Sequence, residues 1–358
     1  MANMKFLEKK LILVVIPTIL AFTTQLMSQK TLYKPVAIGF YNVENLFDTQ
    51  DNPEIRDDEF TPGGDKVWNQ EKYDEKVANI ASVISQLGRE RCKEGLSLLG
   101  ISEIENDTVI QSIVDHPLLA SRNYGFVHHS SRDKRGIDVA LIYDKDNFVP
   151  QNTEAYWVDT SRKSDKPGYK PRPTRDVLLV SGLLDDELIH ITVNHWPSRS
   201  GGEKRTASLR NKAAQVNRHI LDSLLVLDPK AKLIVMGDLN DDPNNDSLKK
   251  HLSAKKKTSQ VEETDMFNPM YALFDKGYGS NAYRDRWSLF DQIVVSEAFI
   301  NEDTPGYKFN KAVIYNKKFM IEKKGEYRGY PLRTFSGDVY QGGYSDHFPV
   351  YIYLFKES

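Results

Sequence analysis

Acidic and amide-bearing residues and two histidines stand at the ends of the most apolar segments of this chain. Asn42 and Glu44 follow one such segment, and Glu103 and Glu105 follow a second. Asn194 and His195 come after Val193, Asp238 and Asn240 after Val235-Met236-Gly237, and Asp346 and His347 just before a last apolar run. Asp291 lies inside one, in Ser288-Leu289-Phe290-Asp291-Gln292-Ile293-Val294. Any one of these has an ordinary explanation, because Asn, Asp and Gly commonly end strands in turns. Repeated along the chain, with two histidines and several carboxylates, they point to a site gathered at a sheet rim. Rigid rims are good supports for catalytic groups. Carboxylates and amides without a cysteine cluster suit a hard cation, Mg²⁺ first, with Mn²⁺ or Ca²⁺ as alternatives. Zinc has no Cys pair or His-Glu-x-x-His run in its favour. The phosphate loop Gly-x-x-x-x-Gly-Lys-Ser/Thr is missing, as is the Gly-x-Ser-x-Gly of serine hydrolases.

The elements that must carry these groups are legible from apolar periodicity. Val36–Tyr41 and Leu96–Ile101 read as buried strands, with further strands over 125–128, 137–143, 177–183, 188–193, 232–236, 289–295 and 348–354. Tyr73, Val77, Ile80, Ala81, Ile84 and Leu87 recur at three- and four-residue spacing, the stripe of an amphipathic helix that Gly88 would stop. A long helix is expected from Glu203 to Leu227, with Ala213, Val216, Ile220 and Leu224 facing inward. Residues 50–66 read as a polar loop and 160–174, rich in Pro and charge, as a mobile surface loop. Many strands with a few helices fit a layered α/β domain, and no linker divides residues 31–358.

The first residues read differently. Lys5, Lys9 and Lys10 precede an apolar run from Leu11 to Phe22, followed by Thr23, Thr24 and Ser28. That order is a secretory signal over residues 1–28, implying export to the periplasm or beyond. Its apolar run falls short of the ~20 residues of a bilayer span, so no stable span is expected in the mature form. Losing three lysines and one glutamate with it moves the formal charge from −2 to −4. An acidic mature chain lacks the overall positive field of a tight nucleic-acid binder, although local arginines and a metal can supply charge where it is needed. The single cysteine, Cys92, cannot form an internal disulfide. The composition, 40% hydrophobic and 27% charged, is ordinary for a globular chain and argues against disorder.

Taken together the motifs resemble those of the endonuclease/exonuclease/phosphatase superfamily, relatives of pancreatic deoxyribonuclease. Phe40-Tyr41-Asn42-Val43-Glu44-Asn45-Leu46-Phe47-Asp48 resembles the first-strand motif. Leu99-Gly100-Ile101-Ser102-Glu103 is similar to the Leu-Gln-Glu metal motif, with Ser102 where Gln is usual. Val193-Asn194-His195-Trp196 resembles the central histidine motif, and Gly237-Asp238-Leu239-Asn240 the Gly-Asp-x-Asn motif. Phe290-Asp291-Gln292-Ile293 and Tyr344-Ser345-Asp346-His347-Phe348-Pro349 complete the set, in family order, from residue 40 to 350. The resemblance implies a four-layered α/β sandwich, two packed mixed β-sheets flanked by helices, with the site at one rim.

It also implies roles. Glu103 and Asp346 would hold the cation, with Asn42 contributing to metal or phosphate binding. His347 would be oriented by Asp291; a carboxylate buried without a partner costs several kcal/mol, and His347 is its natural partner. Asp238 competes with His347 as the base, Asn240 would be a phosphate and orientation ligand, and His195 would serve a phosphate oxygen or the leaving group. The glutamate that partners the central histidine in deoxyribonuclease-like members has no counterpart that can be located. Glu44 reads as supporting, Glu105 as a rim carboxylate or alternative metal ligand, and Asp138 as a candidate orienter of a histidine. His128 and His129 read as solvated or packed. Two basic clusters, Arg132, Lys134 and Arg135, then Arg199, Lys204, Arg205 and Arg210, are either solvated loop charge or anion-recognition sites; Arg135 and Arg199 are the candidate phosphate binders, since Arg forks match phosphate oxygens.

The expected function is a metal-dependent phosphoesterase in which water attacks phosphorus. It would act as an exported, nuclease-like phosphodiesterase on DNA or RNA. The alternative is a phosphatase or lipid phosphodiesterase acting on phosphomonoesters such as inositol or sugar phosphates, or on sphingomyelin. A catalytically inactive binding module comes third, and retention of every motif carboxylate and both histidines argues against it. Loops 50–66, 160–174 and 300–342 would decide the substrate. In the last of them the aromatic and basic residues Tyr307, Phe309, Tyr327, Arg328, Tyr330 and Arg333 could stack on bases or bind sugars, or simply pack.

Overall fold

The computed structural model describes residues 33–161, 168 and 170–357. The signal segment expected over 1–28 lies outside the described residues, as do 162–167 and 169 of the second polar loop. Two large sheets dominate. The six-stranded sheet runs, edge to edge, through Lys308–Ile314, Val350–Glu357, Tyr33–Leu46, Leu96–Ile104, Asp138–Asp144 and Tyr124–His128. The seven-stranded sheet runs through Phe148–Tyr156, Val177–Leu184, Glu187–His195, Leu233–Asp238, Asp291–Ser296 and the two-residue strands Met266–Phe267 and Ala254–Lys255. Both mix parallel and antiparallel pairs: Tyr33–Leu46 lies parallel to Leu96–Ile104 and antiparallel to Val350–Glu357.

The strands read as continuous apolar runs because both of their faces are covered. With a period of two, Val36, Ile38 and Phe40 point between the sheets, into a core with Ile191, Val193, Ile234, Met236 and Ile293. Ala37 and Tyr41 point the other way, towards Val77, Ile80 and Ile84 of helix Gln70–Ile84 and Ile110 of helix Asp107–Val114. Across the second sheet, Leu233, Val235 and Val294 pack on Ala213, Ile220 and Leu221 of helix Glu203–Leu227. The order helix, sheet, sheet, helix is the four-layered sandwich the motifs implied. Among the described residues no helix is long and apolar enough to cross a membrane.

Helix Gln70–Ile84 starts where Asn69 accepts the Lys72 N–H at 3.0 Å, a side-chain cap. It ends just before the expected stop. Gly88 sits at φ +75, and a Cβ there would come within 2.7 Å of the Ala37 Cβ, so the chain can turn under the sheet only at a glycine. Beside the two- and three-residue strands, two longer ones escaped the periodicity reading, Phe148–Tyr156 and Lys308–Ile314. Each is a sheet edge with one partner, so polar residues such as Gln151, Asn152 and Asn310 are tolerated there and the apolar alternation is weak. Tyr307 and Phe309 belong to packing: Tyr307 is fully buried, and Phe309 meets Phe267 edge-on at 5.4 Å.

Candidate active site

Strand register brings the chemistry together. His195 pairs with Asp238, and Asp238 with Asp291, so three neighbouring strands present these side chains at one level of the rim. On the facing sheet Asn42 pairs with Ser102. Both of these strands then break register, between Asn42 and Leu46 and between Ser102 and Ile104. Bulges of this kind re-aim side chains beside active sites. Here they put Glu44, Asn45 and Glu103 in left-handed backbone at φ 53, 47 and 63, and Asn240 joins them at φ 50. A residue other than glycine held there costs about 1–2 kcal/mol. The cost is offset locally, since three freed N–H groups bond to site side chains. Glu44 donates to Asn42 Oδ1, Asn45 to Glu103 Oε2 and Asn240 to Asp238 Oδ1, each at 3.0 Å. The glycine of Gly-Asp-x-Asn is required by crowding, because a Cβ on Gly237 would lie 2.3 Å from the Asn194 carbonyl oxygen.

Asp238 Oδ2 is the focus of the cluster. The buried amide of Asn42 donates to it at 3.1 Å and to Glu103 Oε1 at 3.2 Å, tying the two sheets together. His195 Nε2 lies 3.6 Å from Asp238 Oδ2 and 3.7 Å from Glu103 Oε1. His347 Nε2 lies 3.9 Å from Asp238 Oδ2 and 3.9 Å from Asp346 Oδ1. Behind it, His347 Nδ1 meets Asp291 Oδ2 at 2.6 Å, and Ser280 Oγ donates to the same oxygen at 2.5 Å. Asp346 Oδ2 accepts from Arg333 Nη2 at 2.7 Å, and Arg333 Nε reaches to 3.6 Å from Glu44 Oε1. Glu44 accepts the Thr334 N–H at 2.7 Å and lies 4.0 Å from the wholly buried Lys76.

The structure thus gathers His347, Asp291, His195, Asp238, Asn42, Glu103 and Asp346 in one cluster. Asn240 is held differently: its side-chain amide donates to the Trp196 carbonyl at 3.1 Å, so it shapes the loop after Asp238. Arg199 departs from the expected phosphate role. Its guanidinium bonds the Asn240 carbonyl at 2.8 Å, Asn245 at 3.0 Å and the carboxylates of Asp241 and Asp242 at 3.2 and 3.3 Å, which commits its fork to bracing that loop. Arg135 keeps a half-exposed side chain, 3.5 Å from Asp133. Asp138 orients His128, at 3.2 Å, with Asp107 at 2.6 Å on the other ring nitrogen, and so has no part in holding His195.

Three residues support the cluster in ways that sequence does not reveal, although Arg333 is among the aromatic and basic residues singled out in its loop. Ser280 is one serine among many. Arg333 stands in a loop of mixed charge. Arg175 ends the polar stretch before a strand, yet it is buried, salt-bridged to Asp133 at 3.0 Å, and donates to the carbonyls of His195 and Trp196 at 3.1 and 2.8 Å.

Burial and charge push the titrating groups apart. For His347, burial opposes the proton, but the carboxylates of Asp291 and Asp238 outweigh it and hold the imidazole well above its ordinary range. His195 goes the other way. Burial, then the nearby Arg175 and Arg135, hold it well below the ordinary range, and its Nδ1 has no hydrogen-bond partner among the described residues. Burial raises Asp238 above the usual carboxylate range, against the pull of His347. One cationic and one neutral imidazole therefore flank a carboxylate with raised proton affinity, the separation that acid–base chemistry at neutral pH needs.

Glu105 faces elsewhere, accepting the Asp48 N–H at 2.8 Å, and burial pushes it up to about 7 from 4.5. The folded protein holds that proton more tightly than the unfolded chain. Stability is therefore full below pH 4.5 and is lost as the pH rises towards 7. Glu105→Gln should accordingly raise stability by about 1 kcal/mol at pH 8, after discounting for solvent screening, and change little at pH 4.5. Urea unfolding at the two pH values checks this; an equal effect at both would contradict it.

A family model described as Endonuclease/Exonuclease/phosphatase family matches residues 37–356. The chain belongs to that family. A search of curated proteins found no match. Among solved structures, an endonuclease/exonuclease/phosphatase family protein from Bacteroides thetaiotaomicron superposes with a TM-score of 0.56 at 16% identity, covering 91% of this chain and 99% of the other. A mannosyl-6-phosphatase from the same organism gives 0.52 at 15%, covering 89% and 99%. TDP2 from D. rerio complexed with single strand DNA product gives 0.52 at 14%, covering 89% and 98%. At these identities the likeness is one of fold.

Endonuclease/exonuclease/phosphatase enzymes are generally divalent-metal dependent, and the residues present fit a hard cation. Glu103 and Asp238 present carboxylate oxygens on either side of the Asn42 amide, so the donors that meet there are oxygens with no thiolate among them. Among the described residues no three acidic, His or Cys side chains are arranged as a closed metal cage. The donor set is open, of the kind Mg²⁺ completes with water and substrate oxygens rather than a protein cage.

Proposed function

We propose that this family member is an exported, divalent-cation-dependent phosphoester hydrolase. Residues 1–28 would direct export and residues 31–358 form the catalytic domain. The reading rests on one observation above all: a single oxygen, Asp238 Oδ2, has an amide and two imidazole Nε2 atoms of opposite proton affinity within 3.9 Å. Asp238, with its raised proton affinity, takes the proton of the attacking water. The protonated His347, steadied by Asp291 and Ser280, bonds the phosphoryl group and returns a proton to the leaving oxygen as the P–O bond breaks. Neutral His195 directs Nε2 at the same centre and donates to a phosphoryl oxygen. Glu103 and Asn42, with Asp346 beside them, would hold the cation, Mg²⁺ first and Mn²⁺ or Ca²⁺ next, whose charge neutralises the phosphoryl oxygens.

Both ester classes fit this centre. The structural neighbours include one protein with a single strand DNA product and one mannosyl-6-phosphatase, and at this centre alone phosphodiester cleavage of DNA or RNA and phosphomonoester cleavage are both readings for this chain. EDTA should abolish hydrolysis of an aryl phosphodiester or monoester, and added Mg²⁺ or Mn²⁺ should restore it. Full activity after metal removal would refute the cation dependence. A panel of double- and single-stranded DNA, RNA, sugar phosphates and sphingomyelin separates the substrate classes.

A further inference from the structure

A groove of about 680 Å³ opens beside the cluster, sharing Asp346 and Arg333 with it. An aromatic path leads into it from the reacting centre. Phe348, next to His347, stacks on Trp287 at 6.0 Å and 12°; Trp287 meets Tyr330 at 6.0 Å, and Tyr330 meets Tyr327 at 5.7 Å. One wall is the hairpin Asn281–Tyr283/Arg286–Ser288, whose tip residues Arg284 and Asp285 both have positive φ, as a two-residue turn of the hairpin type requires. That tip is fixed in place: the Asp285 N–H donates to the Tyr330 hydroxyl at 2.6 Å, and the hydroxyl donates to Asp285 Oδ1 at 2.9 Å. The groove is therefore preformed, yet two of its rings are left open to water, Tyr283 at 68% exposure and Tyr327 at 49%.

We propose that this groove seats the uncharged, polyhydroxylated ring of a sugar phosphate while its phosphate reaches His347 and Asp238, a reading that rests on the hydrolase assignment above. Charge separates this occupant from a nucleic-acid strand. The lining carries four carboxylates, Asp285, Glu322, Glu326 and Asp346, against three cations, Arg284, Lys324 and Arg333. Arg333 is already paired with Asp346. A strand would bring a phosphate for every nucleotide into this acidic excess, whereas nucleic-acid grooves track the backbone with positive charge. Vicinal hydroxyls meet the opposite conditions: carboxylates accept their protons, arginine and lysine donate to their oxygens, and the tyrosine faces cover the apolar side of the ring.

The test compares a hexose 6-phosphate with ethyl phosphate, which has no ring, in the parent, Tyr327→Ala and Tyr283→Ala. Binding is read by calorimetry and cleavage by phosphate release. The parent should favour the hexose phosphate, and each variant should cut that preference about five- to tenfold, the scale of one lost aromatic contact. An equal preference in parent and variants overturns the proposal. So does tighter binding of thymidine 3′,5′-bisphosphate than of the hexose phosphate, which would make the groove a nucleic-acid site. Should no ester be cleaved while hexose phosphate binding still depends on Tyr327 and Tyr283, the hydrolase reading fails and the groove stands.

Discussion

His347→Ala should lower turnover on an activated phosphoester by about 100- to 10,000-fold, the range for losing a positioned acid–base group. The His347 imidazole and the Ser280 hydroxyl share one oxygen of Asp291, a carboxylate that lies wholly out of water with its second oxygen unpartnered among the described residues. Removing the imidazole therefore costs stability as well as rate, because Asp291 is left with Ser280 alone. Asp291→Asn separates the two effects. It keeps the shape and removes the charge that raises His347, so the proton is held less tightly. If protonated His347 is the active form, the rate falls as pH rises through its pKa, and in Asp291→Asn that alkaline fall should move to lower pH. A pH–rate profile of both proteins checks the sign; a limb that stays in place would leave His347 without the role given it. Retention of more than a tenth of parental turnover in His347→Ala would reject the assignment outright.

Asp238→Ala and Glu103→Ala should each cost at least about 100-fold, but for different reasons that a metal titration distinguishes. Glu103 shares Asn42 with Asp238 and lies nearest the open donor set, so its loss should raise the Mg²⁺ concentration needed for half-maximal rate, with partial recovery at high metal. Asp238 lies between the two imidazoles, and its carboxylate also holds the Asn240 N–H. Its loss removes the proton acceptor, and no amount of metal should restore the rate. Identical metal curves for parent and Glu103→Ala would remove Glu103 from the cation site.

Much of this molecule follows from residues read in order. Near-continuous apolar runs in Val36–Tyr41, Leu96–Ile101 and Lys232–Met236 already say that these strands are covered on both faces, since a half-exposed strand would alternate with polar residues. The helix expected over about 203–227 is there, with Ala213 and Ile220 buried and Val216 and Leu224 partly so, because its apolar stripe is a local property. The pairing of Asp291 with His347 was implied by the resemblance of the motifs, and it agrees with the need of a carboxylate inside an apolar strand for a partner. What sequence could not disclose was which donor reaches which acceptor. Arg199 and Arg175 look alike as loop charges, yet one braces Asp241 and Asp242 while the other is buried against the carbonyls of His195 and Trp196. Asp138 turned to His128, Ser280 to Asp291, and Arg333 to Asp346. Side-chain period and residue type are written along the chain, but register, bulges and loop paths emerge only when two sheets close on one another. The inventory of the site is therefore a property of the sequence; its wiring, and the groove beside it, are properties of the fold.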